Sequence, residues 1–190
     1  MNNHEKIDNT YATAYKLHTL GYSVIPSGGG EKCKAPLVEW KKYQESPPSE
    51  ADLDGWQKDL KPKLWGMVTG WLSGLVVLDA DTAEAARLME TELGPPHVVT
   101  PRGFAHWYFR HPGQKVKTVA RLLPGLDIRG DGGFVNIAGS SGLGEYQIRV
   151  LPTPDTLIPW AKLPQRVKAA LNGSKPAPDE SSQRVSGIHI

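Results

Sequence analysis

The sequence predicts an α+β domain, because short segments of strand character alternate with a few segments of helical character along a chain of ordinary globular composition. The chain has 190 residues, the length of one domain or of a domain with a tail. Hydrophobic residues make up 39% of it and charged residues 22%, which supports a normal core. The formal net charge of +2 does not by itself indicate a nucleic-acid partner.

The cysteine content and the N-terminus exclude several protein classes. Cys33 is the only cysteine, so neither a disulfide framework nor a cysteine-based structural zinc site can form. The first residues lack the apolar region of a signal peptide, and no stretch approaches the length of a membrane span. We therefore expect a cytoplasmic protein without a membrane partner.

The first part of the chain predicts two helices and a strand. A helix capped by Asn9 or Thr10 would run to Leu20 and stop at Gly21, since glycine is common just after a helix. Residues 22–26 have strand character. Residues 27–32 form a glycine-rich loop without the Gly-Lys-Ser/Thr ending of a phosphate-binding P-loop. Ser49 begins a capping-box pattern and therefore a second helix.

The next strands end in an acidic pair. Residues 65–69 predict one strand, and residues 75–81, Leu-Val-Val-Leu-Asp-Ala-Asp, predict another that is apolar on both faces. Because side chains alternate along a strand, Asp79 and Asp81 point the same way, with Cα atoms about 7 Å apart. Carboxylates this close repel each other unless a cation lies between them. The pair predicts a divalent metal site, although two such residues could also cap the helix expected over residues 83–93.

A histidine in a later strand is the second candidate. Residues 97–100 and 105–110 predict strands, and His106 shares a face with the partly polar side chains of the second one. His106 and Arg102 together could donate hydrogen bonds to phosphate oxygens. A purely structural role for this histidine is the alternative.

A third carboxylate follows in the segment 125–137, which predicts a β-hairpin turning at the Asp-Gly pair 131–132. That turn would place Asp127 across from Asn136. Asp127 could pair with Arg129 on the same strand face, or it could supply another oxygen ligand to the metal pair.

The charge distribution offers a further indication. Between Leu93 and Leu126 the sequence contains no carboxylate. The same stretch holds the cations Arg102, Arg110, Lys115, Lys117 and Arg121. Beside an acidic metal pair, such a stretch suits a polyanion such as a nucleotide or DNA. A solvated basic loop is the alternative.

The end of the chain has less to bury. Residues 147–151 predict a strand and residues 164–171 a short helix. From Asn172 onward the composition predicts a disordered tail, or a linker to another domain.

Three motifs in order resemble the primase-polymerase (prim-pol) group of the archaeo-eukaryotic primase superfamily. Residues 73–82 are similar to the first motif of that group, residues 100–109 to the second and residues 126–135 to the third. Residues 20–26 resemble an element near the start of the family. Lys34-Ala35-Pro36-Leu37 with Trp40 resembles its Lys-x-Pro…Trp element.

The resemblance covers roughly residues 10–165 and implies the organisation of the chain. It implies an α+β catalytic domain over residues 1–165, built of two modules around mixed sheets with a central cleft. Residues 166–190 would then form the short helix and the tail or linker.

The resemblance also implies roles for individual residues. The metal ligands would be Asp79, Asp81 and Asp127, holding two Mg²⁺ or Mn²⁺ ions. The nucleotide-binding residues would be His106, Arg102, Arg129 and Lys34. The implied activity is template-directed nucleotidyl transfer, as a DNA primase or DNA polymerase of phage- or plasmid-type replication. The implied partners are single-stranded or primed DNA, dNTP or NTP, and a helicase domain or protein. Some relatives carry a zinc-binding stem that one cysteine cannot build, which favours primer extension over autonomous initiation.

Other classes remain as alternatives. A haloacid-dehalogenase-like phosphatase also places Asp-x-Asp after an apolar strand, although that family has Thr or Val where this chain has Ala83. A DxD glycosyltransferase would need a sugar-nucleotide site, for which the sequence offers no support. A non-catalytic replication-initiator module would bind DNA without chemistry.

Overall fold

A computed structural model describes residues 3–28 and 34–173 and confirms the α+β class. Its helices are α1 (Asn3–Thr19), α2 (Glu50–Asp59), α3 (Ala83–Leu93) and α4 (Gln165–Leu171), with 3₁₀ turns at Lys41–Gln44 and Trp160–Lys162. Its strands are β1 (Val24–Ser27), β2 (Leu64–Val68), β3 (Leu75–Ala80), β4 (Val98–Val99), β5 (Ala105–Arg110), β6 (Val119–Leu123), β7 (Leu126–Arg129), β8 (Phe134–Ser141), β9 (Gly144–Glu145) and β10 (Gln147–Ile148). The predictions for most of the glycine-rich loop and for the tail lie outside the described residues.

Two antiparallel sheets form the framework. A four-stranded sheet has the order β1-β2-β8-β9, and a six-stranded sheet has the order β10-β4-β5-β3-β7-β6. Every pairing between these strands is antiparallel, and parallel pairing in the described chain is confined to isolated bridges. The chain crosses from one sheet to the other after β2, after β7 and after β9. No helix in the described ranges combines the length and the apolar character that a membrane span needs.

The six-stranded sheet is buried on both faces, as the apolar run of β3 predicts. One face packs against α1 and the four-stranded sheet, in a core that includes Leu17, Val77 and Ile137. The other face packs against α3 and α4, in a core that includes Leu78 and Val167. Since neighbouring positions of β3 point to opposite faces, its even and odd positions enter different cores.

Local capping chemistry sets the helix ends. Ser49 and Asp52 form the predicted capping box of α2, each side chain accepting a hydrogen bond from the other's backbone N–H. Thr82 caps α3 by accepting a hydrogen bond from the Ala85 N–H at 3.2 Å. Gly94 follows α3 with a φ of 81°, a left-handed conformation that favours glycine. The first helix begins at Asn3, earlier than its predicted cap.

The predicted hairpin over residues 125–137 is wrong. The strands β7 and β8 lie in different sheets, β7 beside β3 and β8 beside β2. Asp127 is therefore opposite Asp79, whereas Asn136 is opposite Gly66.

The side chain of Asp131 accounts for this difference. Its carboxylate accepts hydrogen bonds from the Trp71 N–H and the Val116 N–H, each at 2.8 Å. These two donors lie in other loops, so the Asp-Gly turn is tied to its surroundings instead of closing a hairpin. Gly70 allows the contact, because a Cβ there would lie 2.6 Å from the Asp131 Cα. Such tertiary anchoring is not visible in a local turn signal.

Candidate active site

Three neighbouring strands bring three of the predicted site residues into one row. In the antiparallel register, Asp79 on β3 is directly opposite His106 on β5 and directly opposite Asp127 on β7. Side chains directly opposite in such a pair share a face, with Cβ atoms about 4.5–5.5 Å apart. The row lies on the face that packs toward the four-stranded sheet, since Val77 and Tyr108 on that face enter the shared core.

Asp81 completes an acidic cluster with the two aspartates of the row. It lies just beyond the end of β3, where its N–H donates to the Gly125 carbonyl at 2.8 Å. One carboxylate oxygen from each of Asp79, Asp81 and Asp127 lies within 4.8 Å of the others. Three converging carboxylates are the hard oxygen ligands that Mg²⁺ and Mn²⁺ prefer, so the donor set fits these ions.

Protein cations stand beside the carboxylates. The Nη2 atom of Arg129 lies 2.5 Å from Oδ2 of Asp127 and 3.7 Å from Oδ2 of Asp79. The Nε2 atom of His106 lies 3.2 Å from Oδ1 of Asp79. From the sequence, Asp127 was expected either to pair with Arg129 or to join the other two aspartates. The structure shows both arrangements together.

The environment shifts the pKa values of Asp79 and Asp81, the two aspartates of the first motif, in opposite directions. Burial on its own would raise the pKa of Asp79, but the charges of His106, Arg129 and Lys34 outweigh it and lower that pKa below its ordinary value. Burial also raises the pKa of Asp81, and there the carboxylates of Asp79 and Asp127 raise it further. A bound cation would therefore offset the repulsion that Asp81 meets from the other two carboxylates.

A strand irregularity anchors Asp127. Its Oδ1 accepts a hydrogen bond from the backbone N–H of Arg121 at 2.7 Å. Arg121 has a φ of 53°, a left-handed conformation that costs about 1–2 kcal/mol in a non-glycine residue. The register between β6 and β7 shifts between Val119 and Leu123, so the irregular strand aims this N–H at the site. Sequence reasoning missed the contact because any residue type supplies a backbone N–H.

Three predicted nucleotide-binding residues lie outside the row: Arg129, which is opposite Val77, and Lys34 and Arg102. The Nζ of Lys34 lies 5.6 Å from the ring centroid of Tyr146, and that ring is 6.2 Å from the His106 ring. Arg102 is exposed, with its guanidinium 5.2 Å from the Phe104 ring centroid. Its charge lowers the pKa of Asp81, although burial and the neighbouring carboxylates prevail. Arg102 therefore stands at the rim of the site.

The basic stretch does not gather at the site as a whole. Arg110 lies at the far end of β5, opposite Leu75 at the start of β3. Its Nη2 donates to the Pro154 carbonyl at 2.9 Å, which is a structural contact. Tyr146 was not among the predicted residues, and its only sequence signal was an aromatic residue in an irregular segment.

Comparison with known protein families gives a match. A family model described as "Bifunctional DNA primase/polymerase, N-terminal" matches residues 14–166, well over half of the chain. The matched range contains all three aspartates, His106 and the residues of both sheets. No curated protein matches the chain.

Proposed function

Because the chain belongs to the bifunctional DNA primase/polymerase (Prim-Pol) family, whose members use DNA and nucleotides, we propose that it extends a DNA primer by template-directed nucleotidyl transfer. The proposed active centre is the cluster of Asp79, Asp81 and Asp127. One observation carries the proposal: carboxylates from separate strands converge within 4.8 Å beside histidine and arginine side chains.

We assign the three aspartates as ligands of two Mg²⁺ or Mn²⁺ ions. When bound, these ions would supply a lowered pKa for the primer 3′-hydroxyl and charge stabilisation at the leaving pyrophosphate. The Arg121 N–H keeps Asp127 in place, and the central position of β3 keeps Asp79 in place. Such preorganised ligands avoid rearrangement during the reaction.

The cations beside the cluster would bind the nucleotide. His106 and Arg129 already contact carboxylates of the site, so a triphosphate held there would meet both of them. We assign Lys34 to the same triphosphate from the other side and Arg102 to the rim. The remaining cations of the basic stretch would follow the template phosphates. Phage- or plasmid-type replication, a helicase partner and a cytoplasmic location remain predictions.

Primer extension by an Asp79→Ala variant tests the proposal. We expect extension with Mg²⁺ or Mn²⁺ to fall at least about 100-fold, because a central ligand is lost, while far-UV circular dichroism stays unchanged. Asp155→Ala is the matched control, since Asp155 is exposed and follows Pro154, whose carbonyl binds the far end of β5. Undiminished extension by Asp79→Ala would refute the assignment.

A second experiment separates the alternatives. The protein is incubated with single-stranded DNA, with and without a primer, plus labelled dNTP or NTP and Mn²⁺. A product ladder only with primer indicates a polymerase, and a ladder without primer indicates a primase. Phosphate release without a DNA product would favour the phosphatase. DNA binding without metal and without incorporation would favour a non-catalytic module.

A further inference from the structure

A buried polar pair lies in the four-stranded sheet, where most neighbours are apolar. Ser27 is fully buried and Asn136 is 7% exposed. The Ser27 hydroxyl donates to Oδ1 of Asn136, and Nδ2 of Asn136 donates to the Lys34 carbonyl at 3.0 Å. Buried polar groups are costly unless they are hydrogen-bonded, and a satisfied network holds a single arrangement. This pair therefore holds the Lys34 backbone beside the sheet.

The same asparagine also lies near an aromatic ring at the site. Its side chain partly offsets the raised pKa of Tyr146, which lies in the connection between β9 and β10. The centroid of the Tyr146 ring lies 6.2 Å from that of the His106 ring and 5.6 Å from the Lys34 ammonium. The second distance lies within the range of a cation–π interaction, about 6 Å. Asn136 thus contacts the Lys34 backbone, and the Tyr146 ring contacts its ammonium.

Electrostatics place this group next to the acidic cluster. Burial on its own would raise the pKa of Asp79, and the charge of Lys34 helps to lower it, after the larger effects of His106 and Arg129. Burial raises the pKa of Tyr146, and the charges of Asp79 and Asp81 raise it further. The phenol and the ammonium are therefore within electrostatic reach of the carboxylates from the side of the four-stranded sheet.

We propose that Tyr146 and Asn136 are positioning residues that hold the Lys34 ammonium over the acidic cluster, where it binds the triphosphate of the incoming nucleotide. The inference rests on the proposed function and adds Lys34, Asn136 and Tyr146 to the surroundings of its site. The strands of the six-stranded sheet bring in Asp79, Asp127, His106 and Arg129. The lysine comes from the segment after β1, whose Lys34 carbonyl accepts a hydrogen bond from Asn136 of the four-stranded sheet. Tyr146 acts through Lys34 and need not touch the nucleotide.

A double-mutant cycle tests this coupling, with dATP and Mg²⁺ as the probe and calorimetry as the measurement. Lys34→Ala and Tyr146→Leu should each weaken dATP binding about tenfold. The double variant should be no more than about twofold weaker than either single one, because both changes remove the same contact. Tyr146→Phe keeps the ring under the ammonium and should retain most of the affinity.

Other readouts separate positioning from stability and from catalysis. In primer extension, Tyr146→Leu should raise KM for the nucleotide and leave kcat nearly unchanged. Its Tm should match that of Tyr146→Phe within about 2 °C. Multiplicative losses in the double variant, or a loss in Tyr146→Phe equal to that in Tyr146→Leu, would overturn the inference. Wild-type binding of dATP without primer extension would overturn the proposed function alone, and absence of dATP binding would overturn both.

Discussion

The three aspartates of the cluster are chemically different, although two of them leave the same strand. The Asp79 side chain is 14% exposed and lies against His106 and Arg129. Asp127 is buried and has both oxygens hydrogen-bonded. Asp81 is exposed, and its strongest charged neighbours are the other two carboxylates. The protein therefore stabilises two of its carboxylates by itself and leaves the third to be neutralised from outside.

Asp81→Asn should separate metal binding from folding. In the presence of EDTA we expect its Tm to lie about 1–3 °C above that of the wild type, because the change removes a partly screened repulsion worth less than about 1 kcal/mol. Mn²⁺ at about 100 times its Kd should raise the wild-type Tm by about 5–10 °C. That increase should be largely lost in the variant.

Differential scanning fluorimetry over a Mn²⁺ series makes the measurement, and Asp155→Asn is the matched carboxylate control. Equal Mn²⁺ stabilisation of the wild type and Asp81→Asn would show that Asp81 is not a ligand.

The side chains of the row were predictable from the sequence, but their partners were not. Alternation along a strand places Asp127 and Arg129 on one face and His106 on the polar face of its own strand. Which strands become neighbours depends on contacts far apart in the chain, so the pairing of Asp79 with Asp127 needed the structure. The position of Tyr146 near the site could not be predicted for the same reason, since β8 and β9 belong to the other sheet.

At the scale of elements, the turn before β7 packs closely against the start of α3. Gly125 has a φ of 66°, and a Cβ there would lie 2.3 Å from the Thr82 Oγ1 that caps α3. The Gly125 carbonyl also accepts the Asp81 N–H at 2.8 Å. Gly125, just before β7, therefore contacts both the Thr82 cap of α3 and the backbone of Asp81, a proposed metal ligand.

Gly125→Ala should destabilise the protein by more than its backbone conformation alone explains. The left-handed φ should cost about 1–2 kcal/mol, and displacement of the Thr82 cap about 1 kcal/mol more. Gly113→Ala is the matched control, because Gly113 has a φ of 80° and a Cβ there would meet nothing within 4 Å.

Urea unfolding of both variants gives the difference in their free energies of unfolding. Primer extension should fall only in Gly125→Ala, because the hydrogen bond from the Asp81 N–H to the Gly125 carbonyl is disturbed there. Equal unfolding free energies in the two variants would contradict this account of the contact.

Elements with complete local signals were predictable, and those that depend on tertiary anchors were not. The capping box of α2 and the Thr82 and Gly94 boundaries of α3 agree with the sequence, because each signal acts within one turn of helix. The Asp-Gly turn failed because the Asp131 carboxylate binds backbone donors of two distant loops. The irregular β6 had no signal, since an arginine rarely adopts a left-handed conformation.

For the whole molecule, chain topology makes the two sheets interdependent. The four-stranded sheet consists of two chain segments separated by the whole of β3 to β7. Within it, β2 and β8 pair with each other across that long intervening part of the chain. The six-stranded sheet in turn would expose Val77 and Tyr108 without its partner, because both belong to the shared core. The two sheets therefore meet in a core to which both contribute side chains.

Unfolding should accordingly be a single cooperative transition. Ile137→Val in β8 and Ile128→Val in β7 each trim a fully buried side chain, in different sheets, and should each cost about 0.5–1.5 kcal/mol. We expect far-UV circular dichroism and tryptophan fluorescence to give the same urea midpoint within each variant, since damage to either sheet destabilises both. Leu143→Ala, at a side chain that is 49% exposed, should shift the midpoint little. Two separated transitions, or a variant that changes the midpoint of only one probe, would show that the sheets unfold independently. The row of Asp79, His106 and Asp127 could then persist while the four-stranded sheet is unfolded.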